Sequence, residues 1–179
     1  MIRSASALLV VIGLGLGACS PSPEKSPDVS ASLRTSLDNS GLKDVTVNQD
    51  RDKGVLTLGG SVTNDADKAR AEAAAKSLAP HDVVANEIRV LPPGMEGDAK
   101  TVSSDVDDAI EKNLDAALIQ AGYKDGVDYE VKSGVVTLTG TVQTQATRAA
   151  IEKVAAGVPN VSQVVNTLEV KNQRATSTR

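Results

Sequence analysis

Aromatic residues are nearly absent from this sequence of 179 residues, which contains two tyrosines and neither phenylalanine nor tryptophan. Proteins that hold single-stranded nucleic acid stack its bases on several aromatic side chains. The net charge of −4 provides no general attraction for phosphates either. The composition therefore argues against a nucleic-acid-binding protein, and the hydrophobic core has to consist of Val, Leu, Ile and Ala.

Cysteine and histidine occur once each, as Cys19 and His81. A single cysteine forms neither an intrachain disulfide nor a multi-cysteine metal site, and a lone histidine beside a proline is typical of a solvated loop. The carboxylates cluster in turns and at helix starts. One cluster lies at residues 50–53, where a calcium loop would need further oxygen ligands and a closing glutamate. We therefore expect no catalytic residues, no metal site and no cofactor.

The apolar run that precedes Cys19 is typical of a secretory signal peptide, with Arg3 as the positive start and small residues before the cysteine. The run is shorter than the roughly 20 apolar residues that a membrane-spanning helix needs. The order Leu-Gly-Ala-Cys resembles the lipobox of bacterial lipoproteins. That resemblance implies cleavage after residues 1–18, a diacylglycerol on the Cys19 thiol and an acyl chain on its new amine. The alternative is an ordinary secretory signal and a soluble periplasmic protein.

The rest of the chain contains an internal repeat, because residues 54–90 align without a gap on residues 134–170, with 13 of 37 positions identical. The identities cover both the strand-like part and the helix-like part of this stretch, so they describe a whole structural unit. We call residues 28–91 the first module and residues 102–171 the second module. Residues 19–27 are interpreted as a tether, residues 92–101 as a short, partly extended linker, and residues 172–179 as a polar tail.

Each module is predicted to contain a helix, a hairpin, a second helix and a last strand. In the second module a helix from Asp105 to Ala121 carries apolar residues at spacings of three and four and ends at Gly122. The hairpin turns at residues 132–134, between alternating apolar positions. The equivalent first hairpin has a polar end and is predicted to be frayed at its tip.

Glycines interrupt the return strands at Gly60 and Gly140, where we expect a bulge more readily than a ligand contact. Asn64 and Thr144 are predicted to cap the alanine-rich second helices. The last strands are placed at residues 84–91 and 164–170. The fold class that follows is α+β, with two tandem αββαβ sandwiches whose helices cover a three-stranded mixed sheet. The pattern leaves the relative placement of the modules open.

The repeated Gly-Val-hydrophobic-Thr-Leu-x-Gly-x-Val, followed by an alanine-rich helix and a closing Val-x-Asn, resembles the BON domain. With the lipobox, the chain is similar to the dual-BON outer-membrane lipoproteins of Gram-negative bacteria. The resemblance implies a non-enzymatic protein that contacts phospholipid and supports outer-membrane integrity under envelope stress. Ser20 after the cysteine implies the periplasmic face of the outer membrane by the family's sorting rule. The alternative is a module that binds an envelope protein or a peptidoglycan-associated complex, without recognition of lipid by the folded domains.

In lipoproteins of this type the lipid contact is attributed to the first helix of the second module. Here that helix has an acidic start and offers one basic residue, Lys112. Tyr123 and Lys124, just beyond its end, form the best interfacial pair. Lys112, Tyr123 and Lys124 are therefore the candidate residues for contact with anionic phospholipid or a partner protein.

Overall fold

The structure is a computed structural model, which describes residues 25–171. Cys19, the signal peptide and the polar tail lie outside the described residues. The first module contains α1 (Ser30–Asn39), β1 (Val45–Asp50), β2 (Val55–Val62), α2 (Asp65–Leu78), β3 (Val83–Asn86) and β4 (Arg89–Val90). The second contains α3 (Glu96–Gln120), β5 (Val127–Lys132), β6 (Val135–Val142), α4 (Gln145–Ala156), β7 (Gln163–Asn166) and β8 (Glu169–Val170).

Both sheets have the same mixed topology. In the first, β1 pairs antiparallel with β2, and β3 and β4 pair parallel with successive parts of β2. The second sheet repeats this arrangement. The α+β fold with two tandem sandwiches is thereby confirmed.

The predicted continuous last strand is wrong in both modules, since a short break separates β3 from β4 and β7 from β8. At each break an asparagine side chain replaces a strand partner. The Asn86 Oδ1 atom accepts from the backbone N–H of Ile88 at 3.4 Å, and Asn166 Oδ1 accepts from Leu168 at 3.2 Å. The strand resumes beyond each asparagine in the same parallel pairing.

Each module has its own hydrophobic core between the helices and one face of the sheet. The first helices, α1 and α3, contribute leucines and Ile110, whereas α2 contributes alanines and α4 contributes Ile151 and Ala155. In the first module Ala71 and Ala75 are fully buried, because alanine lets α2 lie close to the sheet. The opposing strand positions are Leu56 and Leu58 on β2.

The predicted caps of the second helices are confirmed. The Asn64 Oδ1 atom accepts from the Asp67 N–H at 2.9 Å, and the Thr144 Oγ1 atom accepts from the Thr147 N–H at 3.0 Å. Each bond satisfies one of the amide groups that the first turn of a helix leaves unpaired.

The first helix of the second module begins earlier than predicted, at Glu96 instead of Asp105. Residues 96–104 contain no proline, so a helix that forms from Asp105 onward can extend back to Glu96. The acidic cluster at residues 105–108 therefore lies inside α3, and the second half of the predicted linker is helical.

The frayed tip predicted for the first hairpin is also wrong. Strand β1 extends to Asp50, and the Asp50 Oδ1 atom accepts from the N–H groups of Asp52 and Lys53 at 3.1 and 3.0 Å. The polar residues that weaken the strand signal are those that close the turn.

Gly60 and Gly140 are needed for a close backbone approach. The bulge expected at these glycines is wrong, because the strand register is continuous through Gly60 and Gly140. Their φ angles are +89° and +117°. A Cβ atom would lie 2.0 Å from the Asp44 carbonyl oxygen at Gly60 and 2.3 Å from that of Gly126 at Gly140.

The two modules pack against each other on the sides of the sheets that the helices leave open. Val55 and Ala85 of the first module form a buried cluster with Val135 and Val165 of the second. Beside it, the Gln163 side chain donates to the Val84 carbonyl at 2.6 Å and accepts from the Asn86 N–H at 3.3 Å. The edge of β3 is therefore covered by the second module. None of the helices described in residues 25–171 is long and apolar enough to cross a membrane.

Candidate functional site

The three predicted contact residues lie in different surroundings. Lys112 is exposed on α3. Tyr123 is half-buried and packs against the core of the second module, so only part of its ring is exposed. Lys124 lies beside β5, where it forms an ion pair with Asp115 at 2.5 Å.

Lys124 belongs to a compact cluster that also contains Asp115 and Tyr129, which we call the Asp115 cluster. The Lys124 Nζ atom lies 4.6 Å from the centre of the Tyr129 ring and 3.4 Å from its hydroxyl oxygen. The Tyr129 hydroxyl donates to the Asp115 Oδ1 atom at 3.0 Å. A cation above an aromatic ring is attracted by the electrons of the ring face. The cluster thus joins α3, β5 and the loop between them.

The charges of the Asp115 cluster stabilise each other. The hydrogen bonds from Lys124 and Tyr129 lower the pKa of Asp115. The bond to Asp115 raises the pKa of Lys124, and burial raises that of Tyr129. The Lys124 charge is therefore engaged within the protein, which weakens its role as a free site for an anionic headgroup.

The outer edge of β5 passes directly beside this cluster. The Gly126 carbonyl accepts from the Thr141 N–H of β6, whereas the next N–H, that of Val127, donates to the Lys124 carbonyl and not to β6. Because backbone groups alternate along a strand, the N–H and C=O groups of Tyr129 and Val131 also point away from β6. On β1 the equivalent edge is partly closed, since an Arg34 Nη2 atom donates to the Val47 carbonyl at 3.3 Å.

The surroundings of the β5 edge are acidic. Asp125, Asp128 and Glu130 are exposed in or beside the strand. Glu130 forms an ion pair with Lys132 at 2.5 Å, whereas within residues 25–171 neither Asp125 nor Asp128 forms an ion pair. An edge of this kind combines unpaired backbone groups with a local negative charge.

A cleft of about 260 Å³ lies between the modules. Lys68, Arg89 and Asp107 are among the residues that line it. Burial lowers the pKa of Lys68, and the Asp107 carboxylate already accepts from the N–H groups of Ser133 and Gly134, both at 2.8 Å. The cleft is smaller than the roughly 300 Å³ at which ligand pockets begin. It is best understood as the seam between the modules.

Other candidates for chemistry are not assembled in the described part of the chain. His81 is exposed in the loop before β3, as the sequence predicts. Within residues 25–171 no group of three or more His, Cys, Asp and Glu side chains is arranged to hold a metal ion.

The domain architecture agrees with a known family. The model of the BON domain matches residues 26–92 and again residues 106–172. The chain belongs to the BON-domain family. Its two modules are BON domains in tandem, and we call them the first and second BON domain below.

Two solved structures show a distant likeness, both of CdsD, a structural protein of the type III secretion system of Chlamydia trachomatis. One, of the C-terminal domain, has 13% sequence identity and a TM-score of 0.34, and the match covers 79% of this chain and 67% of that chain. The other has 14% identity and a TM-score of 0.36, with 79% and 91% covered. At these values the likeness carries no inference about function. No curated protein matches the sequence.

Sequence reasoning identified Lys124 but missed its partners. Asp115 lies in the polar part of a helical pattern, and Tyr129 alternates with Val127 and Val131 as a core residue would. The signal that could have found the cluster is the tyrosine itself, because a half-buried hydroxyl requires a hydrogen-bond partner.

Proposed function

We propose that this protein is a non-enzymatic lipoprotein of the bacterial envelope whose second BON domain binds an extended, basic segment of a partner protein. Lipid on Cys19 holds it at the periplasmic face of the outer membrane, where it supports envelope integrity. The observation that carries the binding proposal is the open edge of β5. The N–H and C=O groups of Tyr129 and Val131 point away from β6 there and have no hydrogen-bond partner among residues 25–171.

An open strand edge binds extended peptides because each outward N–H and C=O group can pair with the backbone of an added strand. Native proteins usually block such edges, with lysine or a covering segment. Here the edge of β3 is covered by Gln163, whereas β5 is flanked by carboxylates. Negative charge at the edge disfavours pairing with another acidic strand and favours a basic one.

The test is site-specific photocrosslinking in cells that contain the intact lipoprotein. A photoreactive residue at Glu130 is expected to give one discrete adduct with an envelope protein. The matched control is Asn48, which occupies the same register position on β1, opposite Thr57 as Glu130 is opposite Thr137. Adding Asp128→Lys should remove the Glu130 adduct, and Thr46→Lys should not. The same adduct from Asn48, or an adduct indifferent to Asp128→Lys, would refute binding at this edge.

A second candidate is contact with phospholipid through α3, favoured by an exposed pair on that helix. Ile119 is 58% exposed, and Lys112, seven residues earlier, is exposed on the same side of the helix. Co-sedimentation of residues 21–179 with vesicles tests it. Salt-sensitive pelleting with anionic vesicles, lost in Lys112→Glu, would support headgroup contact. Absence of pelleting with anionic and zwitterionic vesicles alike would leave partner binding as the function of the second BON domain.

A further inference from the structure

The segment just before α1 is fastened to the β1–β2 hairpin of the first BON domain. The Ser26 N–H donates to the Arg51 carbonyl at 3.0 Å, and the Arg51 Nε atom donates back to the Ser26 carbonyl at 2.7 Å. Lys25 forms an ion pair with Asp52 at 2.9 Å. The chain therefore leaves the folded domain at the tip of this hairpin.

Gln49 extends this attachment into the domain. Its Nε2 atom donates to the Pro27 carbonyl at 2.9 Å and to the Asp82 Oδ2 atom at 2.7 Å. Its Oε1 atom accepts from the Val29 N–H at 3.1 Å. Residues 25–29, the hairpin tip 50–54 and the loop 79–83 are thus joined at one end of the domain, which we call the hairpin end.

The distance from the hairpin end to Cys19 is limited by chain length. Only residues 20–24 separate Cys19 from Lys25. Six residue steps, fully extended at about 3.3–3.6 Å each, span at most about 22 Å. Strand β2 alone has 8 residues, whose seven steps span about 23 Å at a rise of about 3.3 Å per residue. If Cys19 carries lipid, the hairpin end therefore stays within about one strand length of the bilayer surface.

The exposed surface of the hairpin end suits the boundary of a bilayer. Two large apolar side chains are exposed at its margin, Leu78 by 38% and Val83 by 47%. Its basic residues are largely matched by acidic ones, as in the pairs Lys25–Asp52 and Lys53–Asp50. Contact would therefore depend on placement by the anchor more than on the charge of the lipid.

The equivalent end of the second BON domain is not available in the same way. There the Ser133 Oγ atom donates to the Glu87 carbonyl of the first domain at 3.0 Å, so the second hairpin tip is held against its neighbour. In the described part of the chain, no hydrogen bond or ion pair joins residues 25–29 or the hairpin tip 50–54 to the second domain, and these residues lie next to the anchor.

We infer that the hairpin end of the first BON domain is the surface that faces the lipid bilayer, fixed there by the attachment of residues 25–29. The inference rests on the lipidation of Cys19 proposed above. It leaves the β5 edge of the second BON domain for a partner protein.

The experiment supplies the anchor chemically. Residues 19–179 contain a single thiol, at Cys19, which can be coupled to a maleimide lipid in vesicles. Lysines are then acylated with a polymer-bound succinimidyl ester too large to enter a narrow gap, and the sites are measured by mass spectrometry. Lys25 and Lys53 should react several-fold more slowly than in the uncoupled protein. Lys43, exposed in the same domain near the opposite end of β1, is the matched control and should be unchanged.

Several outcomes decide the matter. Equal protection on anionic and zwitterionic vesicles is expected, because the charges of this end are paired. Insertion of a flexible segment of about 20 residues after Glu24 should abolish the protection, whereas the same insertion after Lys171 should not. Unprotected Lys53, or protection of Lys112 and Lys124 instead, would overturn the inference. Whether the cell acylates Cys19 is decided separately by palmitate labelling of the wild type against Cys19→Ala.

Discussion

At the scale of residues, the internal repeat explains why two polar positions are identical in both domains. Asn86 donates to the Glu72 Oε2 atom at 2.9 Å, and Asn166 donates to Glu152 at the same distance. Each asparagine also accepts from the N–H two residues later, where its strand breaks. The pair thus ties the second helix of each domain to the interruption of the last strand.

Replacement of Asn86 by alanine should destabilise the first domain by about 1–3 kcal/mol, the usual cost of leaving buried polar groups without partners. Asn86 is 4% exposed, so water cannot readily take its place. Urea unfolding measures the change. Asn48→Ala, an exposed position on β1, is the control and should change stability by less than about 0.5 kcal/mol. Equal effects of the two substitutions would contradict this role for Asn86.

Glu87 gives the protein a pH-dependent stability. Burial at the domain seam raises its pKa above the ordinary value of 4.5; Lys132 opposes this shift, while Glu130 and Asp107 add to it. A raised pKa in the folded state means that the stabilising contribution is present below pH 4.5 and is lost as the pH rises through the folded pKa. Glu87→Gln should therefore increase stability at pH 7 and leave it nearly unchanged at pH 4.

The comparison is made by thermal unfolding of both proteins across this pH range. Glu111→Gln, at an exposed position of α3, is the control. Lower stability of Glu87→Gln at pH 7 would show that the charged carboxylate is favourable at the seam.

At the scale of elements, regular signals predicted the helices and hairpins, and local polar contacts caused the errors. Apolar spacing located α1 and most of α3, and the cap residues together with a high alanine content located α2 and α4. The early start of α3 was missed because residues 96–104 have no apolar face to reveal a helix. The break after Asn86 was missed because its cause is one side chain that bonds to the backbone, which leaves the apolar alternation intact.

Gly140→Ala tests the close approach within the second hairpin. A Cβ atom would lie 2.3 Å from the Gly126 carbonyl oxygen, in a backbone with φ of +117°. Strain of this kind costs about 1–3 kcal/mol, and the displaced strand adds to it. Gly97→Ala is the matched control, because Gly97 lies in α3 with nothing within 4 Å of the added atom and alanine suits a helix better. Chemical unfolding that ranks Gly140→Ala as no worse than Gly97→Ala would refute the explanation.

At the scale of the whole molecule, the packing of the two domains was beyond the sequence. Four aliphatic strand residues lie at this contact: Val55, Ala85, Val135 and Val165. From the sequence pattern alone, such residues are assigned to the core of their own domain. The structure instead places them between the domains. They occupy matching positions of the repeat, so each domain contributes the same two strand positions to this contact surface. Gln163 breaks that symmetry, since the equivalent Val83 has no amide with which to cover a strand edge.

The candidate site was found only in part, through Lys124, because the edge of β5 can be recognised only once the order of strands in the sheet is known.

Val165→Asp should separate the domains without unfolding either of them. Val165 is fully buried, and a carboxylate there has no basic partner in the buried cluster, so the contact surface becomes unfavourable. Each domain retains its own core of helices against sheet. We expect the radius of gyration in solution to increase and thermal unfolding to split into two transitions, since domains that lose their contact unfold as independent units.

Thr139→Asp is the matched control, at a partly exposed position on β6 outside that cluster, and should retain one compact particle. The separated protein also tests how the functions are arranged. If the hairpin end is held at the bilayer by residues 25–29, Lys53 should stay protected in Val165→Asp on vesicles, because that attachment lies wholly within the first domain. Loss of Lys53 protection in this variant would mean that the second domain, and not the short tether, sets the orientation of the protein at the membrane.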